Sequence, residues 1–173
     1  MTEFERRKYF DEIYAQYDRR VFAYCIYVLG DRDMASDVFQ EVFIKMYQSL
    51  HTVRDSERIV HWLFRIARNE CLNALKSRKR SETRTVQYDD SDGFRLQPEN
   101  PVSYNDEIEY LHWGLKQLTR EHREALVLAE FEGFSMKEIA EMTGTSLSNV
   151  KVRIHRAKQH LHNILQPILN DHE

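Results

Sequence analysis

Apolar residues recur at three- and four-residue steps through most of the chain, and the places where that rhythm breaks divide it into elements. Over residues 5–29, Phe10, Ile13, Tyr14, Tyr17, Val21, Tyr24, Cys25 and Val28 share one side of a helix. Gly30 and Asp31 then end that helix and cap the next. A second helix, about 32–50, carries Ala35, Val38, Phe39, Val42, Phe43, Met46 and Leu50 on one face. After a polar loop, 51–57, a third helix over about 58–80 is apolar across a wide arc that includes Ile59, Trp62, Leu63, Ile66, Ala67, Leu72 and Leu75. These three helices form a first domain, residues 1–80.

Residues 81–104 lose the periodicity and gain Ser, Asp, Gly, Pro and Asn, so they read as a flexible acidic linker. A second domain, residues 105–173, follows. Leu111, Leu115 and Leu118 open a helix there, Thr119 caps another that contains Ala125, Leu126, Leu128 and Ala129, and Gly133 ends it. Ser135 and Glu138 have the spacing of a capping box. The fold class expected is therefore all-α: two small helical domains joined by a linker.

Composition agrees and narrows the function. Five glycines and three prolines in 173 residues leave long stretches unbroken. No stretch approaches the roughly 18 uninterrupted apolar residues of a membrane span, and the N-terminus lacks the apolar core of a signal peptide, so the chain is expected to be cytoplasmic. Cys25 and Cys71 sit in apolar helical surroundings and read as small hydrophobes. The net charge is only −3, but it comes in blocks. Residues 61–86 carry seven basic side chains against two acidic, and residues 87–110 carry one against seven.

From 135 to 161 the spacing suits a helix-turn-helix. Ala140 is the small residue where two helices cross, Gly144 tolerates the turn, and Val150 anchors the second helix, which Ser146 can cap. An ordinary helical hairpin with a solvated basic face would share that spacing. The capping box, the central glycine and the outward Lys151, Arg153, His155, Arg156 and Lys158 together favour DNA binding.

Three segments then carry a resemblance: Asp33-Met-Ala-Ser-Asp-Val-Phe-Gln-Glu-Val-Phe43, Trp62-Leu-Phe-Arg-Ile-Ala-Arg-Asn69, and Glu138-Ile-Ala followed by Asn149-Val-Lys-Val-Arg-Ile-His-Arg-Ala-Lys158. In this order the chain resembles the extracytoplasmic-function (ECF) subfamily of sigma-70 factors over nearly its whole length. The resemblance implies a first domain that binds core RNA polymerase and melts the promoter −10 element, a second that reads the −35 element, and a linker that threads through polymerase. It also implies an anti-sigma factor as a further partner, and no cofactor.

On the second helix, Asp37, Gln40, Glu41, Ile44 and Gln48 fall opposite the apolar stripe. A solvated face would explain most of them, but Ile44 is apolar within it, and in the family this face docks on the clamp of the largest polymerase subunits. On the third helix, His61, Arg65, Arg68, Lys76 and Lys79 share a sector of roughly 100°, with Asn69 at its edge. Such a stripe can simply be solubilising charge, yet it also suits phosphate contacts to a DNA strand. By position in the motif, Asn69 and the loop 51–57 resemble the family's base-capture site, with Trp62 either core or a side of the pocket. No individual residue of that loop is assigned. For the −35 element the candidates are Ser148, Asn149, Lys151, Val152, Arg153, His155 and Arg156. Many relatives have arginine or an aromatic where this chain has Lys151 and His155, which leaves the bases read open.

Two other functions compete. A stand-alone operator-binding regulator would use the same helix-turn-helix. An enzyme would need a nucleotide loop, a metal-ligand cluster or a nucleophile motif, none of which the sequence presents. A sigma decoy that sequesters an inhibitor is a minor third.

Overall fold

The computed structural model describes residues 2–53, 58–85 and 106–170, with the side chains of 82–85, 106–107 and 168–170 also outside the description. Every element among the described residues is helical. Helix α1 (Glu3–Leu29) starts in a capping box in which Thr2 Oγ1 accepts from the Glu5 N–H and the Glu5 carboxylate accepts from the Thr2 N–H. It ends at Gly30, whose left-handed backbone (φ 68°) lets its N–H donate to the Ile26 carbonyl. Asp31 then caps α2 (Arg32–Ser49), its Oδ1 accepting from the N–H groups of Asp33 and Met34 at 3.0 Å each. A short 3-10 turn, Leu50–Thr52, leads towards α3 (Ile59–Thr85).

Val21, Tyr24 and Cys25 of α1, Val42 and Met46 of α2, and Leu63, Phe64, Ala67 and Cys71 of α3 are fully buried together. Helix α3 runs to Thr85, five residues past the expected end at Arg80. Nothing in 81–85 breaks a helix, since Ser, Glu, Thr and Arg are all tolerated in its interior. The rest of the expected linker, 86–104, lies outside the described residues.

The second unit comprises α4 (Asp106–Gln117), α5 (Arg120–Leu126), α6 (Met136–Thr143) and α7 (Leu147–Asn170). Helix α5 continues without a break into a wider π-type turn, Val127–Phe131, which closes with the Glu132 N–H on the Val127 carbonyl. Leu115, Leu118, Val127, Leu128, Ile139, Val150, Ile154 and Ala157 make its core.

The two helical units pack against each other. Their buried residues form one continuous cluster, and Phe134, after the π-type turn, meets Phe64 of α3 edge-on at 5.2 Å between ring centres.

Candidate nucleic-acid interface

On α2 the residues Asp37, Gln40, Glu41, Ile44 and Gln48 are all exposed, and Ile44 keeps about half its surface in water (49 %). Beside them α1 and α2 part to leave an open groove of about 960 Å³. Phe10, Tyr14, Phe39, Phe43 and Tyr47 pack edge-to-face along its floor. Ile44 is thus the rim of a larger apolar surface, which a polar-face reading of α2 alone does not reveal.

The basic stripe of α3 is divided. Arg65, Asn69, Lys76 and Lys79 are exposed, and at 100° per residue they span about 80° of the helix. Trp62 is half-buried and packs on the core, with one side on a cleft of about 340 Å³ between the two units. His61 and Arg68 instead face the second unit. Arg68 Nε stands 2.9 Å from Glu124 Oε1 and His61 Nε2 stands 2.7 Å from Glu138 Oε1. Neither nitrogen is aligned for a hydrogen bond, so each contact is one of proximity. Glu138 is at the same time the capping-box residue of α6, and its carboxyl is held below the usual range first by the Ser135 backbone N–H.

Glu124 has no counterpart in the sequence reading. It is 3 % exposed, and beside its ion pair with Arg68 its Oε1 accepts one hydrogen bond, from the hydroxyl of Tyr24, itself fully buried on α1, at 3.1 Å. Burial, followed by the Glu124 charge, pushes the Tyr24 phenol well above its usual range. A second ion pair joins Arg20 Nε to Glu132 Oε2 at 2.9 Å, and the same guanidinium donates to the Glu132 carbonyl. Burial raises the Glu132 carboxyl, opposed by Arg20. The only local signal was a glutamate directly before the apolar run 125–129, and its partners are 100 and 56 residues away.

Helices α6 and α7 meet at Gly144, whose φ of 65° and ψ of 32° make the left-handed turn. Ile139, Val150 and Ile154 are buried between and beneath them. Ser146 Oγ accepts from the Asn149 N–H, and the Asn149 side chain donates to Thr145 Oγ1, so Asn149 helps fix the start of α7. Ser148, Lys151, Val152, His155 and Arg156 are exposed; Arg153 is half-buried, and Lys158 pairs with Glu130 at 2.7 Å. This is a helix-turn-helix with an open second helix.

Sigma-70 region 2 matches residues 13–81 and Sigma-70, region 4 matches residues 109–161. The RNA polymerase sigma-H factor of Pseudomonas aeruginosa is 32% identical over 174 residues, covering 95% of this chain and 90% of that protein. The chain belongs to the sigma-70 family, in its ECF branch. The ECF sigma factor SigM of Bacillus subtilis is 29% identical over 93% of this chain and 98% of its own. The sigma factor RpoE, solved with the anti-sigma factor NepR from Bartonella quintana, shares the fold with a TM-score of 0.74 at 24% identity, over 92% of this chain and 98% of that one. As a sigma factor the chain binds core RNA polymerase and directs it to promoters, regions 2 and 4 serving the −10 and −35 elements. Helices α1–α3 thus belong to region 2 and α4–α7 to region 4. Of the loop 51–57 assigned to base capture, residues 54–57 lie outside the described residues. No helix among the described residues is long and apolar enough to cross a membrane.

Proposed function

We propose that this sigma factor divides its work among three helical faces. Asp37, Gln40, Glu41 and Ile44 of α2 dock on the polymerase clamp, with the aromatic groove beside them extending the contact. Arg65, Lys76 and Lys79 hold the phosphates of the displaced −10 strand, joined by Arg68 once it is free of Glu124, while Asn69 supplies a donor and an acceptor to an extruded base next to Trp62. Lys151, His155 and Arg156 read −35 base edges in the major groove. Val152, apolar and 44 % exposed, is suited to a thymine methyl, and Ser148, Asn149 and Arg153 hold the backbone or the helix start. The protein has no catalytic chemistry of its own and works in the cytoplasm, and an anti-sigma factor restrains it, as NepR accompanies the Bartonella protein of the same fold.

The observation that carries the melting assignment is the exposed set Arg65, Asn69, Lys76 and Lys79 on one side of α3, beside half-buried Trp62. Its test is Asn69→Ala. Core binding and closed-complex formation should stay near normal while open-complex formation on duplex promoters falls, and a template already mismatched across the −10 element should restore transcription. Equal impairment on both templates returns Asn69 to a structural role.

A further inference from the structure

The 24 residues of α7 include no aspartate or glutamate, and its basic side chains occupy more than the face assigned to the −35 bases. At 100° per residue, Asn149, Arg153, Arg156 and His160 fall within about 60° on one flank. That flank lies between the buried side of Val150, Ile154 and Ala157 and the outward side of Ser148 and Val152, with Arg156 at its outer boundary. From Asn149 to His160 it runs about 16 Å along the helix axis.

Helix α5 packs against α7 here. Thr119 Oγ1 accepts from the His122 N–H at 3.4 Å and sets the first turn of α5. The His122 ring is half-buried, and the groups that face it are Arg156, Arg153 and His160 of α7 and Glu121 of its own helix. Glu121 also faces Arg153 and pairs with Arg120 at 2.7 Å. One carboxylate is thus set among three guanidinium groups and two imidazoles, a surface short of negative charge. A solubilising face would hold such groups fully in water, whereas Arg153 and His122 are half-buried against each other. Burial, then Arg156 and Arg153, hold the His122 ring below the usual imidazole range and so keep it neutral near pH 7.

The neighbouring contact points to the missing anion. The major groove is about 12 Å wide and a helix with its side chains about 10–12 Å across, so a helix that reads bases has phosphates along its flanks.

We propose that Arg120 and His122 of α5 join Arg153 and His160 of α7 in a second contact with DNA, on the phosphates bordering the −35 element, and that the His122 ring takes up a proton as the contact forms. This rests on α7 lying in the −35 major groove. The proton comes from solvent onto the unprotonated ring nitrogen, and the phosphate offsets the repulsion from Arg153 and Arg156. His122 is a positioning residue: it reads no base, and it makes the grip of region 4 on the promoter tighten in mild acid.

The test measures holoenzyme affinity for two labelled duplexes, one a promoter that it transcribes and one with the −35 element scrambled, at about pH 7.5 and about pH 6.0. His122→Gln should lose about threefold in affinity at the lower pH and little at the higher, on both duplexes alike. His122→Arg, permanently charged, should restore the acid affinity and keep it at both pH values. Arg120→Ala, at a side chain 43% exposed, should weaken both duplexes alike and reduce the slope of log affinity against log salt by about one. That variant decides the matter should the His122 variants lose helicity. Unchanged affinity in Arg120→Ala and His122→Gln overturns the second contact. So does a loss in His122→Gln that is equal at both pH values and that His122→Arg fails to restore, since the ring then serves only the fold. Weaker binding of core polymerase with unchanged DNA binding assigns the surface to an acidic protein partner and overturns the proposal too. A Lys151→Ala, His155→Ala variant separates this from the −35 assignment: poorer discrimination between the duplexes keeps that assignment whatever the α5 variants do, and full discrimination removes it as well.

Discussion

Gly144 holds the turn between α6 and α7 at a positive φ with nothing within 4 Å of where a Cβ would sit, so a side chain there is opposed by backbone strain alone. Gly144→Ala should cost about 1 kcal/mol, the price of a left-handed residue with a Cβ, and Gly144→Asn less, as measured by urea unfolding. Signals of this kind were legible because they are local. Asp31, Thr119, Ser135 and Ser146 each cap a helix through an N–H two or three residues away, and the sequence writes that spacing directly. Glu124 was illegible for the opposite reason: its burial depends on Tyr24 and Arg68 arriving from other helices. The same contact separated Arg68 from Arg65, which periodicity had placed in one stripe.

At the scale of the element, the apolar rhythm gave α1, α2 and α3 with starts and faces close to those observed, because each buries one continuous side. It could not show that α5 widens into a π-type turn, since one extra residue per turn leaves no mark on composition. On α2, Asp37→Lys with Glu41→Lys should weaken the complex with core polymerase while circular dichroism stays unchanged, because both positions are exposed mid-helix; unaltered affinity at physiological salt would refute the docking face. On α7, alanine at Lys151, His155 or Arg156 should cost on the order of 1 to 3 kcal/mol where the residue reads a base and should relax preference at one promoter position. A lost phosphate contact would instead weaken all sequences alike, so competition binding across a −35 library tells them apart.

For the whole molecule, the reversal of charge after residue 86 was legible as a boundary, but the docking of one region on the other was not. It depends on matching Arg20, His61 and Arg68 to Glu132, Glu138 and Glu124, pairs that no window of sequence contains. Two histidines of region 4 make the assembled structure sensitive to mild acid. Burial, then Lys116, lowers the pKa of His112, which packs on the Tyr27 ring of region 2; burial, then Arg156 and Arg153, lowers that of His122. The unfolded chain takes up these protons first, near the ordinary value of 6.5, so their stabilising contribution is full above that pH and is lost as pH falls from 6.5 through the lowered folded values. The melting temperature should drop between about pH 7.5 and pH 5.5, and less steeply in a His112→Gln, His122→Gln variant.

Cys25 of α1 and Cys71 of α3 share the centre of region 2 with no exposed surface, and the Cys71 thiol is pushed up first by its hydrogen bond with Cys25 and then by burial. Neither sulfur can react with a disulfide reagent until α1 and α3 part, so the rate of thiol labelling is a clock for that event. Native protein should label at the rate of its own unfolding. In Glu124→Gln the clock should run faster if region 4 braces region 2, and unchanged if region 2 is held by its own three helices, so two buried sulfur atoms report how much of one region's endurance is lent by the other.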